Sequence, residues 1–319
     1  MKSRMTIVIL VAIALFSCER IKEQFSSGML EQIALLPQDA NVIGYVNVAK
    51  IHSSPFAALL PDSGKFRLDD DMEFEEFVEA TGLDPRKDII EIYGAVKADD
   101  KNHEGSGIVV ATGQFDKEKI MAYLSAKDSL SRISREQVDG IDIVHLMDNF
   151  CLCFADEHTI AGGTAEIIRE WLQRKLAGPQ QTAVDNERKV RLDGIKYKST
   201  GWLYVDLDNG LDFIKENSKE WRNAAEGVLN LTLSVNVDKN FILYSECECS
   251  DAEKAGLLQD AMKGGIATLK LAQSDDRDVI DTLNKVQVKT HDKLVVSRFS
   301  MTKEDVERMI EAHKKFNKK

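Results

Sequence analysis

Four cysteines, arranged as the Cys-x-Cys pairs Cys151/Cys153 and Cys247/Cys249, are the residues of this chain best suited to redox or metal chemistry. Residues two apart on a β-strand point to the same side, so each pair presents both thiols to one face. Three uses are open: buried apolar side chains, disulfides between the two pairs, or a four-thiolate metal site. A disulfide within one pair is disfavoured, because Cα atoms two apart on an extended strand lie near or beyond the ~6.8 Å limit for such a bond.

The neighbouring residues favour a buried role for these thiols. In the segment FILYSECEC, we expect Glu246 and Glu248 to face solvent, which turns the two cysteines of that segment inward. Zinc sites built on paired cysteines use spacers of two to four residues that curl around the ion. A one-residue spacer on a flat strand does not curl, so a metal site is the weaker alternative, and no cofactor is predicted.

Histidine and acidic residues provide no stronger metal site. We expect His145 to be a half-buried strand residue, because it shares a strand face with Ile141 and Ile143. Asp156-Glu157-His158 reads as an acidic turn between strands and is a weak candidate for metal binding. The run 69–71 consists of three aspartates but lacks the glycine and glutamate spacing of a calcium-binding loop, and negative charge at a helix start explains it more simply.

The chain also lacks the patterns of nucleophilic catalysis and of phosphate binding. No Gly-x-Ser-x-Gly elbow or Ser-x-x-Lys motif is present, and residues 131–134 (SRIS) are expected to form a polar loop. Gly162-Gly163-Thr164 precedes an amphipathic segment, but it lacks the lysine and the full glycine spacing of a phosphate-binding loop. We therefore predict no catalytic residue.

The fifth cysteine, Cys18, closes a segment typical of an export signal. Lys2 and Arg4 precede an apolar run over residues 5–16, and the small residue Ser17 stands directly before the cysteine. This ending resembles the lipobox of bacterial lipoproteins, and the resemblance implies that Cys18 is the acyl acceptor. Two alternatives are a permanent membrane span, which is disfavoured because the run is shorter than the roughly 20 residues of a span, and an ordinary cleaved signal in which Cys18 stands by chance. The resemblance implies an exported protein, anchored in a membrane of the bacterial cell envelope through lipid on Cys18.

Composition limits the classes of partner. The chain has 319 residues, with 43% hydrophobic and 30% charged residues, which is typical of globular proteins. Its formal net charge of −11 argues against nucleic acid as a partner, because such binding requires clustered lysine and arginine. It also argues against a charge-based contact with anionic lipid.

Alternating helix and strand patterns predict an α+β fold with mostly antiparallel sheets covered by helices on one face. The order of elements suggests two similar β-α-β-β-α-β-β-α units, because residues 204–207 (YVDL) match residues 45–48 (YVNV). A Ser250-x-x-Glu253 box and a Thr302-x-x-Asp305 box each predict a helix start. The predicted organisation is a signal peptide (1–17), a lipidated cysteine and tether (18–28), a first unit (29–185) and a second unit (195–319).

Three further segments carry a second resemblance. Residues 37–51 (PQDANVIGYVNVAKI), 81–89 (TGLDPRKDI) and 113–120 (GQFDKEKI) resemble a broad set of uncharacterised bacterial envelope proteins. These share a Pro-x-Asp-Ala start, a Tyr-Val-Asp-like strand and a Thr-Gly-x-Asp-Pro-Arg turn. The motifs are short and structural, and the resemblance implies no catalytic residue.

Three hypotheses for function follow from these observations. The first is a lipid-anchored envelope protein that binds or scaffolds a partner protein or polymer. The second is a carrier of an apolar ligand such as a lipid, in a cavity lined by Phe74, Phe77, Trp171 and Trp202. The third is an enzyme with an unrecognised site at His145, at His158 or at the cysteines.

Overall fold

A computed structural model describes residues 25–59, 74–97, 105–127, 133–146, 149–178, 192, 195–196, 198–207 and 227–316 of the chain. The helices and strands in these ranges are interspersed along the sequence. In chain order they are α1 (Ser27–Leu35), β1 (Val42–Asn47), α2 (Val48–His52), α3 (Phe74–Thr81), α4 (Pro85–Asp88), β2 (Ile89–Lys97), β3 (Ser106–Gly113), α5 (Lys117–Lys127), β4 (Ser134–Val138), β5 (Ile141–His145), β6 (Phe150–Asp156), β7 (Thr159–Thr164), α6 (Ala165–Ala177), β8 (Gly201–Asp206), β9 (Val228–Val237), β10 (Phe241–Cys249), α7 (Ala252–Ala272), α8 (Arg277–Asn284), β11 (Gln287–His291), β12 (Leu294–Met301) and α9 (Lys303–Phe316).

All twelve described strands join one sheet, in the order β11-β12-β10-β9-β8-β1-β2-β3-β7-β6-β5-β4. Each described pairing is antiparallel, including the central pairing of β1 with β8, in which Tyr45 lies opposite Trp202. The predicted α+β class and antiparallel pairing are confirmed. The pairing of β1 with β8 places both halves of the chain in the same sheet.

We name the two sides of the sheet by residues of its central strands. The front face is the side of Tyr45, Tyr93 and Trp202, and the back face is the side of Val46 and Ile92. On the front face, α1 and α6 cover the central strands and the β6 side of the sheet, forming the largest hydrophobic cluster. Tyr45 stacks on Trp202 with ring centroids 5.9 Å apart and lies 5.1 Å from the ring of Tyr93.

On the back face, helices pack near the two ends of the sheet. At one end, α7 covers Cys249, Val288 and Val295. At the other end, Ile120 of α5 packs with Val144 and Phe154. Partly buried apolar residues surround this second cluster. The sequence predicted helices on one face only, whereas the described helices pack on both faces. The two halves place their strand cysteines on opposite sides of one sheet, so the helices that cover them must also lie on opposite sides.

One strand differs from the sequence prediction, and one predicted turn is confirmed. Ser134, placed by the sequence in a polar loop, begins β4, which pairs with β5 across a turn at Asp139-Gly140. Both turn residues have positive φ, at 49° and 83°, which suits the tight turn of a two-residue hairpin. The turn predicted between strands at residues 156–158 is confirmed, because β6 ends at Asp156 and pairs with β7 across Glu157-His158.

The helix starts follow local hydrogen bonding. The predicted box at the start of α9 is confirmed, because Thr302 Oγ1 accepts from the Asp305 N–H and Asp305 Oδ2 accepts from the Thr302 N–H. At α7 the capping residue is Asp251 and not Ser250, since Asp251 Oδ1 accepts from the Lys254 N–H at 2.8 Å.

The duplication remains a prediction. The order β1-β2-β3-β7 runs outward on one side of the central pair, and β8-β9-β10-β12 runs outward on the other. Most of residues 186–194, which separate the two predicted units, lie outside the described residues. No described helix is both long enough and apolar enough to cross a membrane.

Candidate functional site

The two cysteine pairs lie on opposite faces of the sheet. Cys153 lies opposite Ala161, in a row that continues through β3 to Tyr93 on the front face. Cys247 lies opposite Leu231, in a row that continues through β8 to Val42 on the back face. A disulfide between the pairs and a shared four-thiolate metal site are therefore incompatible with this register. All four thiols are free.

Burial makes these thiols poor nucleophiles. It raises the pKa of Cys153 to about 11 and that of Cys247 to about 12, and it also raises the pKa values of Cys151 and Cys249. The thiolate is the reactive form of cysteine, so these groups are almost entirely protonated near neutral pH. Cys18 lies outside the described residues.

The front face holds a chain of side chains that begins at Cys151. Its Sγ lies 3.2 Å from His145 Nδ1, and His145 Nε2 lies 3.2 Å from Glu136 Oε2. An ionised carboxylate can only accept, so His145 Nε2 donates to Glu136, and in the tautomer with no proton on Nδ1 the thiol donates to Nδ1. Cys151 and His145 are cross-strand neighbours on β6 and β5, and Glu136 follows on β4.

Arg169 of α6 completes this chain. Its Nε donates to Glu136 Oε1 at 2.9 Å and its Nη2 donates to Glu136 Oε2 at 2.6 Å. This two-point hydrogen bond from Arg169 is the main reason that the pKa of Glu136 falls to about 2, with a smaller contribution from His145. Sequence reasoning missed Glu136 and Arg169, because Glu136 lies in a segment not predicted as a strand and because nothing along the chain pairs it with Arg169 of the predicted helix.

A thiol, an imidazole and a carboxylate in hydrogen-bonded order are the components of a cysteine nucleophile. Here the thiol is fully buried and has a raised pKa, so the arrangement does not activate it. Its evident role is to satisfy the polar groups at the β4–β6 end of the sheet and to fix α6 against that end.

The acidic turn at residues 156–158 borders an open cleft of about 760 Å³ between α5, the end of α3 and the β6–β7 turn. Asp156 is ion-paired with Lys175 at 2.9 Å and accepts from the His158 N–H. Burial opposes the ionisation of Asp156, but these hydrogen bonds outweigh it and lower its pKa. His158 Nδ1 lies 3.0 Å from the Gly113 carbonyl oxygen and donates to it. Among the described residues, no group of three or more histidine, cysteine or acidic side chains could hold a metal ion.

The other predicted candidates are separated from one another. His52 and His291 lie in different halves of the chain, while His103, the side chain of His313 and the aspartates at 69–71 are outside the described part. Gly163 lies within β7, where an added Cβ would stand 2.2 Å from the Gly107 carbonyl oxygen. Glycine is therefore required at position 163 for the close approach of β3 and β7, which explains this glycine without a phosphate.

One prediction about surface charge is wrong. Glu246 was expected to face water with Glu248, but it is only 6% exposed. Both lie on the front face, where Asn230 Nδ2 donates to Glu248 and Tyr244 Oη donates to Glu246. A strand pattern separates the two faces of a strand but does not show that both faces are covered.

The aromatic residues proposed to line a ligand cavity do not converge. Trp171 and Trp202 are buried in the front core. Phe77 packs edge-on against Tyr123, with ring centroids 5.4 Å apart, and the side chain of Phe74 lies outside the described part. The three described side chains, Trp171, Trp202 and Phe77, therefore take part in packing.

The back face contains an apolar surface at the centre of the sheet, which we call the central apolar face. Its most exposed side chains are Val46 (37%), Val96 (44%), Val109 (53%) and Phe150 (40%). They come from strands β1, β2, β3 and β6. In the sheet these strands follow one another in that order, with the short strand β7 between β3 and β6. None of the three hydrophobic clusters of described residues includes any of them.

Three glycines form the floor of the central apolar face. Gly44 lies opposite Gly94 on β1 and β2, and Gly162 lies opposite Val109 on β7 and β3. A Cβ at Gly94 would have the Ile108 carbonyl oxygen as its nearest neighbour, at 3.7 Å, and one at Gly44 would be 3.4 Å from Leu203. The fold therefore has room for a side chain at both positions, and the glycines leave a shallow apolar groove.

Comparison with known proteins supports the fold. No protein-family model and no curated protein sequence matches this chain. Among solved structures, crystal form III of TP0453 is similar, with a TM-score of 0.50 and 11% identity over 88% of this chain and 97% of that chain. Crystal form I of TP0453 gives a TM-score of 0.46 and 12% identity over 91% of this chain and 98% of that chain. At this level of identity the likeness concerns the fold alone, and it agrees with the α+β architecture.

Proposed function

We propose that this chain is a lipid-anchored protein of the bacterial cell envelope that acts by binding a partner on its central apolar face. The observation that carries the proposal is an uncharged, partly exposed apolar surface over a glycine floor at the middle of the sheet. Contiguous apolar surface of this kind is typical of interaction sites. The export signal that ends at Cys18 supports the proposed localisation in the cell envelope.

The beginning of the described chain supports an orientation. Phe25 packs on Trp202 on the front face, with ring centroids 6.0 Å apart. The seven Cα-to-Cα steps from Cys18 to Phe25 span at most about 25 Å. An anchor on Cys18 therefore holds the front side of the body close to the bilayer and leaves the back face available to a partner.

The anchor is tested by Cys18→Ser in the full-length chain. Each buried acyl methylene contributes about 0.8 kcal/mol of membrane affinity, so the unmodified protein loses stable attachment. We expect the wild-type protein in the membrane fraction and the variant in the aqueous phase after detergent phase separation. A variant that remains fully membrane-bound, or a mature chain that begins elsewhere than at Cys18, contradicts the anchor.

The binding face is tested by Val109→Asp, with Leu257→Asp as its matched control. Both residues are exposed to a similar degree, at 53% and 58%, but Leu257 lies on α7, away from the central apolar face. After cross-linking in intact cells, we expect Val109→Asp to lose at least about tenfold in recovered partner and Leu257→Asp to lose little. Equal recovery with both variants, or no reproducible partner of the wild type, contradicts the proposal.

The glycine floor also suits an alkyl chain, which keeps the lipid-carrier hypothesis as a second candidate. Native mass spectrometry after mild extraction distinguishes the two functions. A lipid that co-purifies at stoichiometric amount and is lost from Gly94→Val indicates a carrier. Its absence, together with a cross-linked protein partner, supports partner binding.

A further inference from the structure

A second apolar groove lies between α7 and β11, away from the central apolar face. It encloses about 430 Å³ and is lined by the apolar residues Ile266, Ala267, Val286 and Val288, with Gln287 and three lysines, Lys263, Lys270 and Lys289. A volume of this size is in the range of ligand sites. It is large enough to accept one or two apolar side chains.

One wall of this groove is the last strand of the sheet. Within the described residues, β11 pairs with β12 and with no strand on its other side. The two-residue turn at Asp292-Lys293, where Asp292 has a φ of 53°, makes His291 and Leu294 the closing pair of the hairpin. By alternation, the backbone N–H and C=O groups of Val288 and Thr290 point outward.

The hydrogen bond at Val288 agrees with this direction. Its carbonyl oxygen accepts from Gln259 Nε2 at 3.4 Å, and Gln259 lies on α7. The helix therefore stands beside the open edge and supplies a side chain to part of it. Unpaired edge groups next to a helix form the kind of groove in which an extended peptide adds a strand.

The charges around the groove select the kind of peptide. Lys263 and Lys270 are seven residues apart on α7, so they lie on the same side of the helix, two turns apart. Lys289 joins them from β11, and no ion pair with any of the three occurs within the described residues. In a chain with a formal net charge of −11, this cluster of cations is complementary to acidic groups.

We propose that the groove between α7 and β11 binds an extended acidic peptide segment of a partner protein. The segment pairs with the outward backbone groups of β11, inserts an apolar side chain over Ile266 and Val288, and places its carboxylates near Lys263 and Lys270. Strand addition accounts for the open edge, because an extended peptide pairs with the row of outward backbone groups on β11 and a free amphiphile does not. The proposal goes beyond partner binding at the central apolar face and depends on different residues.

The proposal is tested with the full-length protein in mild detergent and a fluorescein-labelled peptide of alternating glutamate and valine. Its binding is followed by fluorescence anisotropy, beside a lysine–valine peptide and a glutamate–valine peptide with methylated backbone nitrogens. We expect measurable binding of the first probe only, weakened by added salt. Hydrogen exchange at Val288 and Thr290 should slow when that peptide is bound.

The double variant Lys263→Gln/Lys270→Gln should weaken binding by about tenfold, as expected from two partly exposed charge pairs. Lys239→Gln, an exposed lysine in the β9–β10 turn, is the matched control and should bind as the wild type does. Ala267→Phe fills the groove and should weaken binding of the peptide without a change in charge. The same thermal unfolding midpoint in all variants establishes that each is folded.

Three results would overturn the proposal: no binding of the acidic peptide, unchanged affinity of the double variant, or equal binding of the backbone-methylated peptide. Decanoate is included as a competitor. If decanoate binds the groove more tightly than the peptide, the site is one for an amphiphilic anion and the peptide proposal is wrong. Val109→Asp should leave peptide binding unchanged, which separates this proposal from the one for the central apolar face.

Discussion

At the scale of single residues, the Glu136–Arg169 contact is the best-defined polar interaction at the far end of the sheet. Two hydrogen bonds from one guanidinium to one carboxylate fix the position of Glu136, and Glu136 in turn orients His145 over Cys151. The interaction links β4, which has a free outer edge among the described strands, to α6 on the front face.

This contact predicts a pH-dependent contribution to stability. The folded-state pKa of Glu136, about 2, lies below its ordinary value of 4.5. A lowered folded-state pKa stabilises the fold above the unfolded-state pKa, and this contribution is lost as pH falls from about 4.5 towards 2. Urea unfolding should therefore show a larger difference between wild type and Glu136→Gln at pH 6 than at pH 3.

Arg169→Met provides the matching change on the other partner. Its destabilisation should shrink over the same pH range, because a protonated Glu136 no longer benefits from the guanidinium. An unchanged difference between pH 6 and pH 3 for both variants would show that the ion pair does not contribute to stability.

The buried thiols give a second residue-scale prediction. In the folded protein at pH 8, Ellman's reagent should react slowly with all four strand cysteines, because burial excludes the reagent and raises their pKa values. In guanidinium chloride, four thiols should react rapidly, in addition to any free Cys18. Rapid labelling of Cys151 in the native state would instead indicate that His145 activates it.

At the scale of secondary-structure elements, the glycines of the sheet divide into two kinds. At Gly163 an added Cβ would stand 2.2 Å from backbone oxygen, whereas at Gly94 the nearest atom is at 3.7 Å. The first glycine is needed for strand approach, and the second leaves space on a face open to a ligand or partner.

Alanine substitution should separate these two glycines. Gly163→Ala should lower the free energy of unfolding by about 2 kcal/mol, because strands β3 and β7 must move apart. Gly94→Ala should leave it unchanged or raise it by up to about 1 kcal/mol, because glycine is unfavourable within a strand. Both values are measurable by urea denaturation, and equal effects of the two substitutions would contradict the distinction.

Strands with clean alternation could be predicted from the sequence, and the predicted strand segment FILYSECEC coincides with β10. The sequence also predicted the inward side of Cys247 and Cys249. It missed β4, since SREQV has few apolar residues, although Asp139-Gly140 is a recognisable hairpin signal. The burial of Glu246 and the relay at His145 depend on what packs over a face, which periodicity within one strand does not encode.

At the scale of the whole molecule, the two halves share one sheet and one core. Trp202 and Tyr204 of β8 belong to the same hydrophobic cluster as Ile33 of α1 and Trp171 of α6. The predicted units 29–185 and 195–319 therefore do not have separate cores at their junction, whatever their origin.

Neither unit should be stable alone. A fragment that ends at residue 185 exposes the edge of β1 and removes Trp202 from the core, so we expect it to self-associate or to lack a cooperative unfolding transition. Size-exclusion chromatography and thermal unfolding monitored by circular dichroism measure both properties. A monomeric fragment with a sharp transition would show that the halves are independent domains.

The packing of Phe25 on Trp202 has a mechanical consequence for a tethered body. Tension on the amino terminus enters the molecule at an aromatic contact above the middle of the sheet, and not at either outer strand. Such a load first detaches α1 from the front face, because separation of the strands must start at an outer strand of the sheet and the force is not applied there. The N-terminal segment then extends under the load. The strands that form the back face keep their register while this segment stretches.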